Sequence, residues 1–446
     1  MTSGCSGVFG DGGVDGTESD DGGSTGTATG TARVTSSTLP VGTQIAKLAP
    51  TDVTGDFQGF GDSVALSSDG STAFIGATVS RGGYGAYPPA GSAYLFSRTA
   101  DGWTEQGKIF SDDSDLGEWF GNSVALSGDA RTALVGAPYH SADVNTTGAR
   151  YVFSRGGGPG LLPGDTPTQG PGKYTGAAYV FARTDGTWRQ QAFLLPDDLD
   201  SEDHFGRRVA LADDGDPALV ASSTDAYLFE RDDGGWSRIA TLPDGNPIAL
   251  SGGTAFVGRS VYVSERATDG WTRQTRLDTD GDDQGGWLHA ELSDDGTTAL
   301  LGQPNDSDPN GTNAGAAYVF RRTGEDWRQE AKLVAGDGDA NDRFGSSVAL
   351  TDDGDTALVG AMNDEDPNGD NPYEDIDRLT AAGSAYLFDR NGGAWEQRAK
   401  LAASDGDPRD AFGYSVALAG DTALVGANSD EDPNGGNAGS AYVFRA

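Results

Sequence analysis

The residues of this 446-residue chain with the best spacing for chemistry are carboxylates and amides in three loops built to one pattern. The loops read NDSDPNGTNAG (305–315), NDEDPNGDN (363–371) and NSDEDPNGGNAG (428–439). Oxygen-bearing side chains fall at alternate positions ahead of a glycine: Asp306, Asp308 and Asn310; Asp364, Asp366 and Asn368; Asp430, Asp432 and Asn434. Calcium takes six to eight oxygens, and alternating acids before a sharp glycine turn are how a calcium loop begins. All three lack the distal bidentate Glu and carry Pro at the fourth position, so a second reading stands beside Ca2+: a solvated acidic loop whose Asn-Gly makes a turn. Asn145, Asn305 and Asn310 open N-x-S/T sequons, which suit an exported glycoprotein, and a glycan on Asn310 would exclude it as a metal ligand.

Other chemistry is thinner. The three histidines, His140, His204 and His289, stand in different parts of the chain without a His-x-x-His or Cys partner, and read as loop or strand-edge residues. Paired carboxylates for glycoside cleavage do not stand apart from the repeat pattern, so the chain reads as non-catalytic. A second acid pattern precedes four Phe-Gly dipeptides: Asp115 and Glu118, Asp200 and Asp203, Asp339 and Asp342, Asp407 and Asp410. A carboxylate held there would accept backbone N–H bonds and fix the connector. Cys5 is the lone cysteine, so no intrachain disulfide forms. Its Thr-Ser-Gly-Cys context, ahead of a polar linker, matches the end of a lipoprotein processing box, with a free thiol as the alternative.

The elements that position these loops repeat. FGDSVAL (60–66), FGNSVAL (120–126), FGRRVAL (205–211), FGSSVAL (344–350) and FGYSVAL (412–418) are one strand, and NPIAL (246–250) and GWLHAEL (286–292) are decayed copies. Each is followed by a TALVGA-like strand and then an AYVF-like strand, and six fourth strands open at Trp103, Trp188, Trp236, Trp271, Trp327 and Trp395. β-Branched and aromatic runs bounded by Gly, Asp and Pro read as four-stranded antiparallel sheets, with Asp353-Gly354 making a tight hairpin turn. Blade two holds two candidate third strands, and the later one, at Ala178–Phe181, is the better fit because Trp188 follows at the usual distance. The seventh fourth strand is missing at Ala446, and QIAKL at Gln44–Leu48 supplies it. The expected fold is therefore an all-β, seven-bladed β-propeller over residues 41–446, closed by the N-terminal strand (43–48) completing the last blade.

Phe120-Gly121 and Gly136-Ala137-Pro138 show the paired signature in full, and seven registered copies over about residues 43 to 446 resemble the FG-GAP repeats of the integrin α-subunit propeller and its prokaryotic relatives. The resemblance implies ligand binding or adhesion at a cell surface through loops of one face. It also implies a calcium loop, D-x-D/N-x-D-G-x-x-D, in the first hairpin of each blade. Asp69-Gly70, Asp214-Gly215, Asp295-Gly296 and Asp353-Gly354 match its centre, but the first position is Ala65, Ala210 and Ala349, with Glu291 the one acid. The last position is Ala73, Ala218, Ala299 and Ala357, so these hairpins read as plain turns.

Sixty-eight acids against 30 bases give a net charge of −38. Molar salt shortens the Debye length to about 3 Å and screens that self-repulsion, so the chain reads as halophilic. No basic footprint for nucleic acid is present. Residues 1–40 are too poor in apolar side chains to fold and read as a disordered tether. The expected whole is an extracellular or cell-surface binder of a protein or glycan through an acidic loop face, touching the membrane only through a lipid anchor on Cys5. Two other readings stay open, a secreted polysaccharide-active enzyme or its accessory module, and a structural envelope protein.

Overall fold

The computed structural model describes residues 39–52, 59–78, 91–111, 118–141, 174–233, 235–246, 248–268, 270–277, 289–307, 310–364, 381–431 and 436–446. Among them, 28 strands form seven four-stranded antiparallel sheets. The seventh sheet takes its outer strand from the start of the chain: Gln44–Leu48 pairs with Ser440–Arg445, with Lys47 opposite Tyr442 and Leu48 opposite Ala441. That strand carries the same mid-strand bulge that the fourth strands of blades one, two, five and six carry. In blade two the later candidate is the strand, Ala177–Thr184, and the earlier one lies outside the described residues. So do residues 1–38 of the expected tether.

The core lies between blades. Second strands such as TALVGA are buried along their whole length, because both faces of each sheet are covered by neighbours. One cluster joins Leu387 and Leu401 of blade six to Phe412, Val425, Tyr442 and Phe444 of blade seven. Another joins Leu424 and Val443 of blade seven to Phe60, Ile75 and Phe96 of blade one, and so seals the ring. The Phe of each Phe-Gly packs edge-on against the third-strand aromatics, as Phe60 does on Tyr94 and Phe96 at 5.5 and 6.0 Å.

The signature glycines have one cause. Gly61 sits at φ +90, where an L side chain is strained, and a Cβ on it would come 2.5 Å from the Ser440 carbonyl of the neighbouring blade. A Cβ on Gly426, at the end of the second strand of that same blade, would come 2.3 Å from the Gly61 carbonyl. The Phe-Gly of one blade and the Gly-Ala of the blade before it are thus two halves of one close backbone approach.

Candidate functional site

Two polar regions stand out, one between neighbouring sheets and one in the hub. The first gathers the chain's lysines. Four of the five, Lys47, Lys108, Lys332 and Lys400, occupy the same fourth-strand position opposite a third-strand tyrosine. Each ammonium lies 4.9 to 5.5 Å from that tyrosine's ring centre. Lys400 bonds Asp337 at 2.7 Å and Asp364 at 2.9 Å, and the Tyr386 hydroxyl donates to Asp364 at 2.5 Å. Lys47 bonds Asp405 at 2.8 Å and Asp430 at 2.9 Å, and the Tyr442 hydroxyl donates to Asp430 at 2.6 Å with the Asp405 carboxylate 2.9 Å away. Lys332 and the Tyr318 hydroxyl hold Asp306, and Lys108 and the Tyr94 hydroxyl hold Asp52. Asp337, Asp405 and Asp52 each follow the fourth strand of the preceding blade, so three of these clasps tie one blade to the next. Burial alone would lower the Lys400 pKa, but the two carboxylates raise it above the ordinary value.

This is where the loop acids expected to hold calcium go. Asp306, Asp364 and Asp430 are 1%, 6% and 2% exposed, and their carboxylates face a tyrosine hydroxyl and an ammonium. Asn310 donates its amide to the Ala335 carbonyl at 2.9 Å, and Asn305 is half-buried beside Asp306. Asp308, Asp366, Asn368, Asp432 and Asn434 lie outside the described residues, as do Cys5 and Asn145. Among the described residues no group of three His, Cys, Asp or Glu is arranged to hold a metal. The first acid of each loop is thus already paired with a lysine ammonium.

Three of the four connector acid pairs do what their spacing predicts; in the fourth, Asp115 lies outside the described residues and Glu118 meets His140 at 2.9 Å. Asp203, Asp342 and Asp410 accept the backbone N–H of Asp200, Asp339 and Asp407 at 2.6, 2.6 and 2.7 Å. The hairpin aspartates cap their own turns: Asp69, Asp295 and Asp353 accept a Ser or Thr hydroxyl and a backbone N–H two residues away on either side.

The second region is the central channel, a cavity of about 750 Å³ lined by the first strands. Four first strands place a serine after Phe-Gly-x. Ser63, Ser347 and Ser415 donate to the Gly121, Gly413 and Gly61 carbonyls of the next blade at 2.9, 2.8 and 2.7 Å, and Ser123 accepts the Val209 N–H. Blade three has Arg208 at this position and blade five has His289. The Arg208 Nη groups face the two ring nitrogens of His289 at 3.5 and 3.2 Å. Burial pushes the Arg208 pKa down to about 10, and burial with the adjacent guanidinium pushes His289 well below its ordinary value. Glu291, two residues further along, replaces the alanine of other blades, and burial followed by Asp294 pushes it up to about 8.

The channel is polarised along its axis. At the hairpin end, burial and then Asp352 and Asp213 push Asp294 up to about 6. At the Phe-Gly end, Arg207 and Arg343 join Asp62 and Tyr414 in the lining, and Arg343 and Arg409 share a smaller pocket beside it. Asp62 accepts from Asn428 at 2.8 Å, and burial pushes it up to about 7. On the same rim Trp119, Tyr139, Tyr174 and His204 form one half-buried aromatic group, with neighbouring ring centres 4.4 to 6.4 Å apart. Sequence reading missed the channel residues. The signal was present as departures from the repeat: Arg208 and His289 for serine, Glu291 for alanine.

A family model described as FG-GAP repeat matches residues 103–153, 188–235, 327–388 and 395–444. No curated protein sequence matches the chain. Among solved structures, the β-propeller domain of Myceliophteria thermophila Cps50 (Swd1) superposes with a TM-score of 0.50 at 10% identity, covering 90% of this chain and 100% of that one. The Pseudomonas aeruginosa periplasmic gluconolactonase PpgL gives 0.47 at 14% identity, covering 77% and 86%. At 10% identity the likeness to the first of these is one of fold alone.

Proposed function

The chain is an FG-GAP repeat β-propeller, and on that premise we propose that it is a non-catalytic binding protein of a halophile cell surface. It takes a surface glycan or glycoprotein on the face where the channel opens at its Phe-Gly end. The observation that carries this reading is the aromatic rim. Trp119, Tyr139, Tyr174 and His204 stand half-buried beside a large cavity, and aromatic groups in such places are where binding energy concentrates. The histidines support binding over catalysis: His140 is tied to Glu118 at 2.9 Å, His204 to the Pro138 carbonyl at 3.1 Å, and His289 to Arg208. On this reading the chain is exported, tethered through Cys5, and kept soluble in molar salt by its charge of −38.

Surface plasmon resonance against purified envelope glycans, in molar salt, tests it. Tyr139→Ala is expected to weaken binding at least tenfold while the melting temperature holds; equal binding by both proteins rejects the rim as the site. Calcium is not required by this reading, since Lys332, Lys400 and Lys47 pair with the first acid of each loop. Calorimetric titration with calcium is expected to give no saturable heat that Asp364→Ala removes.

A further inference from the structure

Arg208 is a cation without a carboxylate. Its contact is the His289 ring, and among the described residues it makes no ion pair, in a chain where acids outnumber bases 68 to 30. A guanidinium drawn into a cavity away from bulk water is costly unless a counter-charge meets it. One of its five N–H groups at most is accepted by His289, because a neutral imidazole has a single acceptor nitrogen, and Arg208 lines the channel with the others. Tyr414 of blade seven faces the same space, 40% exposed to water within the channel yet surrounded by protein, and keeps its phenol proton because burial pushes it up to about 12. Arg207 adds a second positive charge nearby. Of the hub acids, Asp294 stands toward the hairpin end, Glu291 lies two residues along the strand from His289 and is pushed up to about 8 by burial, and Asp62, whose charge acts on Tyr414, accepts from Asn428.

We propose that Arg208, His289 and Tyr414 form a carboxylate-binding site inside the central channel, filled either by a free small carboxylate or by the uronate of a glycan entering from the rim. The guanidinium supplies a two-point clamp matched to a carboxylate, and the phenol supplies a neutral donor. His289 fixes the guanidinium without adding charge. The cavity of about 750 Å³ is large enough to admit a sugar ring. For the second source the proposal rests on the binding reading above; for the first it stands alone.

Titration calorimetry on the full chain at constant ionic strength, with sodium glucuronate, sodium acetate and neutral glucose, tests it. Both carboxylates are expected to give saturable heat and glucose none. Glucuronate tighter than acetate assigns the site to an acidic sugar; equal affinities assign it to a free carboxylate. Arg208→Ser restores the residue that four other blades use and so keeps the fold; it should weaken both carboxylates at least tenfold, and Arg208→Lys less. His289→Ser, which disturbs the clamp from its other side, should weaken both as well. No heat with either carboxylate, or heat unchanged in Arg208→Ser, overturns the site. Tyr139→Ala separates the two readings, because it should reduce envelope-glycan binding while acetate binding stays as it was.

Discussion

The clasps between blades and the hub of the ring use the same ionic residue types in opposite ways. In the clasps every ammonium meets carboxylates: Lys400 has Asp337 and Asp364, Lys47 has Asp405 and Asp430. In the hub Arg208 faces an imidazole, and Glu291 keeps its proton up to about pH 8. The clasps follow the repeat; the hub residues break it. A repeat that conforms spends its charges on holding sheets together, and the positions where it departs leave charge free for a ligand. Lysine suits the clasp because a compact ammonium can sit beside a tyrosine ring and still reach two carboxylates, where a planar guanidinium would favour one.

The largest expected effect comes from unsealing the ring. Deleting residues 1–48 removes the outer strand of blade seven, the Leu48 side chain in its core and the Lys47 clasp together. The melting temperature should fall by about 10 °C or more, read by circular dichroism in molar salt. Deleting only residues 1–38 is the matched control and should leave it unchanged. Equal melting of both truncations would deny that closure carries stability.

Next comes a single clasp. Lys400→Met leaves Asp364 buried beside Tyr386 without its cation, and breaking one side of a buried pair costs about 3 kcal/mol. Denaturant unfolding should show that loss. A cost below about 1 kcal/mol would make the clasp no stronger than a surface pair.

The architecture was legible because it is written seven times. The Phe-Gly to Gly-Ala approach has one steric reason repeated at five of the seven blade boundaries, and the second and third strands recur in all seven, so even decayed copies such as NPIAL can be placed. The site was less legible for the same reason. Asp306, Asp364 and Asp430 have calcium-loop spacing in sequence, but what they touch is fixed by Tyr318, Tyr386 and Tyr442 and by lysines one strand further on. Those partners lie on other strands, and local spacing carries no information about a partner across the sheet. Arg208 and His289 lie 81 residues apart and meet because both take the serine position on the hub.

Within the hub, Glu291→Ala restores the alanine found in other blades, as at Ala65 and Ala349. Glu291 titrates near 4.5 when unfolded and near 8 when folded. Between those values the native chain binds a proton that the unfolded chain has lost, so this residue's contribution is full below about pH 4.5 and is lost as the pH rises to 8. The clasp acids run the other way: Asp337 and Asp405 sit below the ordinary carboxylate value, so their contribution is lost on acidification. Glu291→Ala should therefore raise stability at pH 8 more than at pH 5 and flatten the decline between those values. An unchanged slope would place the proton elsewhere.

The smallest effect is the most telling for the contrast. Arg208→Ser removes a cation from the hub as Lys400→Met removes one from a clasp, yet no buried carboxylate is left behind, because Arg208 had none. The desolvation of the guanidinium is relieved, and among the described residues the side-chain hydrogen-bond partner given up is a neutral imidazole. Unfolding free energy should therefore move by less than about 1 kcal/mol. The His289 pKa, freed of the adjacent charge, should rise toward the ordinary histidine value, which a carbon-bound proton titration by NMR reads directly. A loss as large as that of Lys400→Met would mean that Arg208 meets a structural counter-charge after all, and the hub would then be one more clasp.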